Sequence, residues 1–149
     1  MKICDAVNSD QYKSDRAILH SDCNCFYASV ECLLNPNIRD LPVAVSGDAE
    51  NRHGIILAKN EIAKRYSVKT GEAIWQAKKK CPQLLTVPAR LDVYKKFSDK
   101  VRRIYAEYTD MVEPFGLDES WLDISQNYKS DALTVAKEIS ERVKDEIGI

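Results

Sequence analysis

Residues 111–124, MVEPFGLDESWLDI, predict a β-hairpin with two adjacent carboxylates, Asp118 and Glu119, close to its turn. The stretch combines strand-favouring apolar residues with two turn-favouring ones: Val112, Phe115, Trp121, Leu122 and Ile124, and Pro114 and Gly116. Two like charges held side by side repel each other, and a bound cation relieves that repulsion. The pair is therefore a candidate for half of a divalent-metal site, and a solvated acidic turn is the alternative reading of the pair alone.

A third carboxylate lies upstream, at the end of a second predicted strand. The run Ala17 to Ser21 has strand character and ends on Asp22, after which apolar residues recur at helical spacing up to Leu34. Side chains at strand ends face the crevice in which open sheets bind ligands. If the two strands are neighbours in one sheet, Asp22 meets the hairpin acids, and three carboxylates can hold two divalent ions. Magnesium fits best, because all these ligands are hard oxygens.

The rest of the chain predicts further short strands and helices. The expected strands are Leu41–Val45, Gly54–Ala58 and Leu84–Val87, with a polar loop, Ser46–His53, that carries Arg52 and His53. The expected helices are Asn60–Tyr66, Ile74–Lys80, a long amphipathic helix capped by Asp92, and a last helix over Asp131–Glu146 capped by Ser130. This order predicts an α+β fold.

Composition limits the classes of function. The chain has 149 residues, a net charge of -1 and 30% charged residues, so any contact with nucleic acid must be local. No apolar run approaches the ~20 residues that span a bilayer, and residues 1–15 form a polar extension without assigned chemistry. We therefore expect a cytoplasmic protein without a membrane partner.

The five cysteines are an odd set without paired CxxC units. Cys23 and Cys25 lie near His20, but structural zinc sites normally use two separated ligand pairs. Reduced, partly buried thiols are the expected state.

Three stretches resemble motifs of the Y-family translesion DNA polymerases, the ImpB/MucB/SamB and DinB-like group. They are Ile18–Glu31, ILHSDCNCFYASVE, then Leu57–Gly71, LAKNEIAKRYSVKTG, and Gly116–Ile124, GLDESWLDI. The resemblance implies that the catalytic residues are Asp22, Asp118 and Glu119. These three and the main-chain carbonyl of Cys23 would bind two Mg²⁺ ions.

The resemblance also implies a nucleotide-binding set. It contains Cys23, Cys25, Phe26, Tyr27, Lys59 and Lys64. Tyr27 would be the steric gate that excludes a 2′-hydroxyl, although its spacing alone favours a core residue on a helix face. Most members of that family have a tyrosine and an arginine that contact the triphosphate where this sequence has Glu61 and Lys64. A carboxylate repels phosphate, so Glu61 is left out of the site and Lys64 is kept as a weaker point charge.

The family's architecture implies a ferredoxin-like palm with an antiparallel or mixed sheet and helices on one face. The palm would comprise residues 16–34 and 93–149, and the inserted fingers lobe residues 35–92. Relatives continue into a thumb and a little finger, so we expect an N-terminal fragment with little or no activity of its own.

The implied function is template-directed, error-prone DNA synthesis in translesion DNA repair. Its partners would be primer-template DNA and a dNTP, with a sliding clamp bound through the C-terminal regions of longer relatives. Two alternatives stay open: a nucleotidyl cyclase with a related palm, and a palm-fold nucleotide-binding module without turnover.

Overall fold

The computed structural model describes residues 16–47, 54–128 and 131–149. The strands of this part of the chain are β1 (Ile18–Asp22), β2 (Val43–Ser46), β3 (Ile56–Lys59), β4 (Leu85–Pro88), β5 (Val112–Pro114) and β6 (Glu119–Asp123). Its α-helices are α1 (Phe26–Leu34), α2 (Glu61–Arg65), α3 (Ile74–Lys80), α4 (Leu91–Ala106), α5 (Ser125–Tyr128) and α6 (Ala132–Arg142). A 3₁₀ turn, Pro36–Ile38, follows α1, and a π-helical segment, Val143–Ile147, continues α6. The predicted α+β class is confirmed.

The chain divides into two compact units. Of the described residues, those up to Asn24 and those from Lys95 to Ile149 form the first unit, and those from Cys25 to Tyr94 form the second unit. Helix α4 thus begins in the second unit and continues in the first. The predicted assignment of residues 16–34 and 93–149 to a palm, and of 35–92 to fingers, stays a prediction.

The first unit contains an antiparallel sheet in the order β1-β6-β5. The predicted hairpin forms β5 and β6, and β1 pairs with β6 in a register that sets Ile18 opposite Asp123 and Asp22 opposite Glu119. Alternate side chains point to opposite faces of a strand. Ser21, Ser120 and Leu122 are buried on one face, so the face that carries Asp22 and Glu119 is the more open one.

The buried face of this sheet contacts helix α4. The Ser21 and Tyr105 hydroxyls lie 2.6 Å apart, and Thr109, just beyond the helix, donates its hydroxyl to the Asp123 carbonyl at 2.7 Å. On the apolar side of α4, Val101, Ile104 and Tyr105 are buried, as is Tyr108 just beyond the helix, whereas Val93 and Phe97 are half-buried. In the last helix, α6, Ala136 and Ile139 are buried, as is Val143 beyond it.

The second unit contains a mixed sheet in the order β3-β2-β4. Strand β2 is antiparallel to β3 and parallel to β4. All four residues of β2 are buried, as expected for a central strand covered on both faces. Around it lies an apolar cluster formed by Ala44, Ile56, Ala63, Val68, Ala77, Cys81 and Leu84.

Several local predictions differ from the structure. Asp92 is not the cap of α4, because the helix begins at Leu91 and the Arg90 carbonyl accepts the Val93 and Tyr94 amides at 3.0 and 3.1 Å. Asp92 lies in the first turn, where a negative charge favours the helix dipole. Phe115 lies outside β5 and is 66% exposed. The predictions for residues 1–15, Arg52, His53 and Ser130 lie outside the described residues.

Two predictions from composition can also be compared with the structure. Within the described ranges, no helix has both the length and the apolar character needed to cross a membrane. The cysteines of these ranges are free thiols, as expected: Cys23, Cys25, Cys32 and Cys81.

Candidate active site

Two of the predicted carboxylates, Asp22 and Glu119, lie at one end of the first unit's sheet, and the third, Asp118, lies in the adjoining turn. Asp22 and Glu119 are direct partners across the antiparallel pair, a geometry in which Cβ atoms lie about 4.5–5.5 Å apart. The Cys23 amide donates to the Asp118 carbonyl at 3.0 Å, which joins the end of β1 to the hairpin turn. The prediction that β1 and the hairpin are neighbours in one sheet is therefore confirmed.

The turn before the acids is held by backbone geometry and by α4. Gly116 has a φ of 94°, a left-handed value that favours glycine, and a Cβ there would lie 3.6 Å from Asp118 Oδ1. Arg102 donates from Nη2 to the Gly116 carbonyl at 2.6 Å, and the Phe115 amide donates to the Glu119 carbonyl at 2.9 Å. These contacts fix the loop from which Asp118 projects.

The electrostatics of the three acids favour a cation. Burial raises the pKa of Asp118 above its usual range, and the neighbouring charges of Asp22 and Glu119 raise it further. No three His, Cys, Asp or Glu side chains in the described ranges are already gathered as a metal cluster. Mutual repulsion opposes such gathering without a cation. The donor set consists of hard oxygens, so it fits Mg²⁺ or Mn²⁺.

Cys23 differs chemically from the acids around it. Its side chain is buried, and burial raises the pKa of the thiol to about 11. A protonated thiol is a poor ligand for a hard cation, because the thiolate is the form that binds metals. The predicted contribution of Cys23 is therefore restricted to its main-chain carbonyl.

His20 lies on the open face of the sheet beside the acids, and sequence reasoning did not assign it to the site. Its ring stacks on Trp121, its partner in the register, with centroids 4.1 Å apart and planes at 19°. Its Nε2 lies 4.0 Å from Glu119 Oε2. The position two residues before Asp22, and thus on the same strand face, was the available signal.

A cavity of about 300 Å³ lies at the opposite end of the same sheet. Its walls include Arg16, Ile18, Met111 and Asp123, with Trp121 toward the middle of the strand. Asp22 and Glu119 are not among its lining residues. The carboxylate end is therefore distinct from this cavity.

Tyr27, the predicted gate, lies in the second unit against a buried polar network. Its half-buried ring stacks on Tyr94, with centroids 4.4 Å apart and planes at 11°. Tyr94 donates its hydroxyl to buried Glu31 at 2.7 Å, and Arg90 donates to the same carboxylate at 3.0 and 2.5 Å. Burial raises the pKa of Tyr94, and its bond to Glu31 adds to the shift. Tyr27 is therefore backed by a fixed ring.

Two of the other predicted nucleotide-binding residues of the second unit, Cys25 and Lys64, contact Glu61. Glu61 accepts hydrogen bonds from Lys64 Nζ at 3.3 Å and from Cys25 Sγ at 3.5 Å. Both bonds lower the pKa of Glu61, and the bond from Lys64 has the larger effect. Lys59 Nζ donates to the Thr70 hydroxyl at 3.1 Å. The Phe26 side chain is only 2% exposed, so only its main chain can reach a ligand.

The structure thus gathers the predicted site residues into two groups. Asp22, Cys23, Asp118 and Glu119 lie at one end of the first unit's sheet. Cys25, Lys64 and the excluded Glu61 meet in the second unit, which also contains Phe26, Tyr27 and Lys59.

Comparison with known proteins gives consistent similarities. The model of a family described as impB/mucB/samB matches residues 21–149. DNA polymerase IV of Acetivibrio thermocellus is 57% identical over 136 residues, which cover 90% of this chain and 34% of that protein. DNA polymerase IV of Bacteroides fragilis is 43% identical over 138 residues, with coverages of 91% and 37%. The chain therefore spans about a third of the length of these curated relatives.

Solved structures show the same similarity in three dimensions. The crystal structure of DinB from Sulfolobus solfataricus matches with a TM-score of 0.80 and 26% identity, over 87% of this chain and 38% of that one. A structure titled as the insertion ternary complex of Dbh DNA polymerase matches with a TM-score of 0.76, 26% identity and the same coverages.

Proposed function

The chain belongs to the impB/mucB/samB family, and from this premise we propose that it provides the nucleotidyl-transfer chemistry of error-prone, template-directed DNA synthesis in translesion repair. Relatives by sequence are named DNA polymerase IV. The observation that carries the proposal is the register that sets Asp22 opposite Glu119, together with the hydrogen bond from the amide of Cys23, which follows β1, to the Asp118 carbonyl. Such an arrangement suits two-metal-ion catalysis.

In the proposed reaction, a primer 3′-hydroxyl attacks the α-phosphorus of a dNTP and pyrophosphate leaves. Asp22, Asp118, Glu119 and the Cys23 carbonyl would hold two Mg²⁺ ions. Such ions, when bound, favour ionisation of the attacking hydroxyl and offset charge on the phosphates. The fixed turn at Gly116 would keep the carboxylates oriented, since small displacements of catalytic groups reduce rates strongly.

The second unit would bind the nucleotide. Tyr27, backed by Tyr94, would stack under the sugar and exclude a 2′-hydroxyl. Lys59 and Lys64 would contact the triphosphate, and main-chain groups of Cys25 and Phe26 would lie beside it. The proposed partners are primer-template DNA and a dNTP, and the proposed location is the cytoplasm. Binding to a sliding clamp stays a prediction.

The proposal can be tested in a chimera in which residues 16–149 replace the matching part of the Acetivibrio thermocellus relative. We expect primer extension with Mg²⁺, and a loss of about a thousandfold or more in Asp22→Asn, Asp118→Asn or Glu119→Gln, comparable to other losses of electrostatic stabilisation. Asp110→Asn and Glu141→Gln are matched controls on exposed acids and should retain extension. An Asp118→Asn chimera that extends primers normally would contradict the proposal.

The same chimera tests the proposed gate. Tyr27→Ala should admit ribonucleotides while dNTP incorporation continues, because the ring no longer blocks the 2′-hydroxyl. Competition between labelled rNTP and dNTP measures the ratio. An unchanged ratio would remove Tyr27 from the site without touching the role of the carboxylates.

The 149-residue chain alone should extend primers poorly. Its net charge of -1 offers little general attraction to DNA phosphates, which dominate the affinity of DNA-binding proteins. Efficient extension by the chain alone would refute this expectation.

A nucleotide-binding module without turnover is the second candidate. The favouring observation is that Glu61, a carboxylate, already pairs with Lys64. Calorimetry of the chain with Mg²⁺ and a dNTP measures binding, and binding with no extension in the chimera would favour the module. A product formed from labelled nucleoside triphosphate without a primer would instead indicate a cyclase.

A further inference from the structure

His20 has a buried ring nitrogen that the proposed function does not use. The residue lies on β1, two positions before Asp22, and its side chain is 26% exposed. Its Nε2 atom is buried and makes no hydrogen bond to any described residue. Buried polar atoms are normally paired, so an unpaired one requires an explanation.

The surroundings of His20 limit what can pair with Nε2. The ring is stacked on Trp121 at 4.1 Å and 19°, and the antiparallel register sets these two residues directly opposite each other. The stack restrains the plane of the imidazole. Glu119 Oε2 lies 4.0 Å from Nε2, about 1 Å beyond an ordinary N–H···O hydrogen bond.

We propose that His20 is a positioning residue for Glu119: its Nε2–H donates to the Glu119 carboxylate when that carboxylate binds a divalent cation. The inference rests on the proposed function, because it assumes that Glu119 is a metal ligand. A modest rotation of the Glu119 side chain closes the remaining gap. Trp121 contributes by stacking on the imidazole and restraining the plane of its ring.

This role follows from the chemistry of carboxylate ligands. A carboxylate has two oxygens, and a hydrogen bond to one of them orients the other. Outer partners of this kind typically change metal affinity by about 10- to 100-fold. The competing explanation is that His20 serves only as an aromatic surface under Trp121.

Two substitutions separate these explanations. His20→Phe retains an aromatic ring against Trp121 but removes the donor. His20→Gln removes the ring and retains an N–H donor on a side chain of similar reach. Mn²⁺ binding to the 149-residue chain, measured by electron paramagnetic resonance, reports the cation site without requiring catalysis, and thermal unfolding without metal reports the packing role.

We expect His20→Phe to bind Mn²⁺ about 10- to 100-fold more weakly with an unfolding temperature close to the wild type. His20→Gln should recover most of the affinity even though it loses the stack. Wild-type affinity in His20→Phe would overturn the inference. So would affinities that simply follow the unfolding temperatures of the two variants.

If the proposed function is wrong, the same measurements give a different result. In that case the wild-type chain itself binds no Mn²⁺, or Glu119→Gln binds as tightly as the wild type. A wild type that binds Mn²⁺ through Glu119, together with an unaffected His20→Phe, rejects the positioning role alone.

Discussion

The two three-stranded sheets of this protein differ in how they are buried. In the first unit, β6 alternates between buried residues, Ser120 and Leu122, and exposed or half-exposed ones such as Trp121. In the second unit, every residue of the central strand β2 is buried. A sheet with one open face can present side chains to ligands, whereas a strand covered on both faces is restricted to packing. The paired candidate carboxylates, Asp22 and Glu119, accordingly lie on the first sheet.

The two units also differ in charge. The second unit's sequence contains ten Lys and Arg residues against seven Asp and Glu, whereas the rest of the chain contains twelve against sixteen. The near-neutral total therefore combines an acidic and a basic region. An acidic region favours cations and a basic one favours phosphates, which matches the two roles proposed for the units.

The largest expected contrast is in the free energy of unfolding, when isoleucine is replaced by alanine in one edge strand of each sheet. Ile56 of β3 is fully buried, whereas Ile18 of β1 is 49% exposed. Ile56→Ala should lower the free energy of unfolding by about 2–5 kcal/mol through lost burial and a cavity. Ile18→Ala should change it by less than about 1 kcal/mol. Urea unfolding of both variants measures the difference. Equal losses of stability would contradict the proposed difference in burial between the two sheets.

The next contrast concerns one ion pair in each unit. Glu31 is 7% exposed in its side chain and receives bonds from Arg90 and Tyr94, whereas Arg16 is 61% exposed in its pair with Asp123. Glu31→Gln should cost about 1–3 kcal/mol, because the buried Tyr94 hydroxyl and the Arg90 guanidinium lose their charged acceptor. Arg16→Gln should cost about 1 kcal/mol or less, since solvent screens its pair.

Chemical denaturation tests this second contrast. Glu31→Gln should also alter the near-ultraviolet circular dichroism of the Tyr27 and Tyr94 rings, a signal that Arg16→Gln should leave unchanged. A larger destabilisation by Arg16→Gln than by Glu31→Gln would contradict the ranking.

A smaller effect is expected at acid pH in the first unit. Hydrogen bonds from the Ser125 hydroxyl and, with a smaller effect, from Arg16 lower the pKa of Asp123 to about 2. The folded pKa is thus below the unfolded value of about 3.9, so the stabilisation is complete above pH ~4 and disappears as the pH falls toward 2. Urea midpoints of wild type and Asp123→Asn should differ at pH 6 and converge near pH 2. A gap that is constant with pH would contradict the assignment.

The smallest effect is expected at Glu61. Glu61→Gln should tighten binding of a dNTP by at most about fivefold, because it frees Lys64 from an exposed pair worth roughly 0.2–1 kcal/mol. Calorimetry with the triphosphate measures this change, and the uncharged nucleoside is the matched ligand control. A gain for both ligands would indicate a cause other than charge.

Much of the fold was predictable because local signals agreed with tertiary packing. The periodicity of residues 18–34 predicted β1 and α1, and the turn residues around Gly116 predicted the hairpin. Asp92 shows the limit of such reasoning, since it resembles a cap although the Arg90 carbonyl begins the helix. The network of Glu31, Arg90 and Tyr94 carried no sequence signal, because its members are up to 63 positions apart.

The sequence by itself determined the elements and the chemical types at the site, because periodicity, turn residues and adjacent carboxylates are local properties. The resemblance to Y-family polymerases also came from contiguous motifs, and the family match agrees with it. Only the tertiary structure decided which residues from distant positions lie opposite or against each other. Register set Asp22 against Glu119 and His20 against Trp121, and folding buried Glu31 between Arg90 and Tyr94. Contacts between distant positions depend on how strands align and which faces are covered, so no single stretch of sequence can specify them.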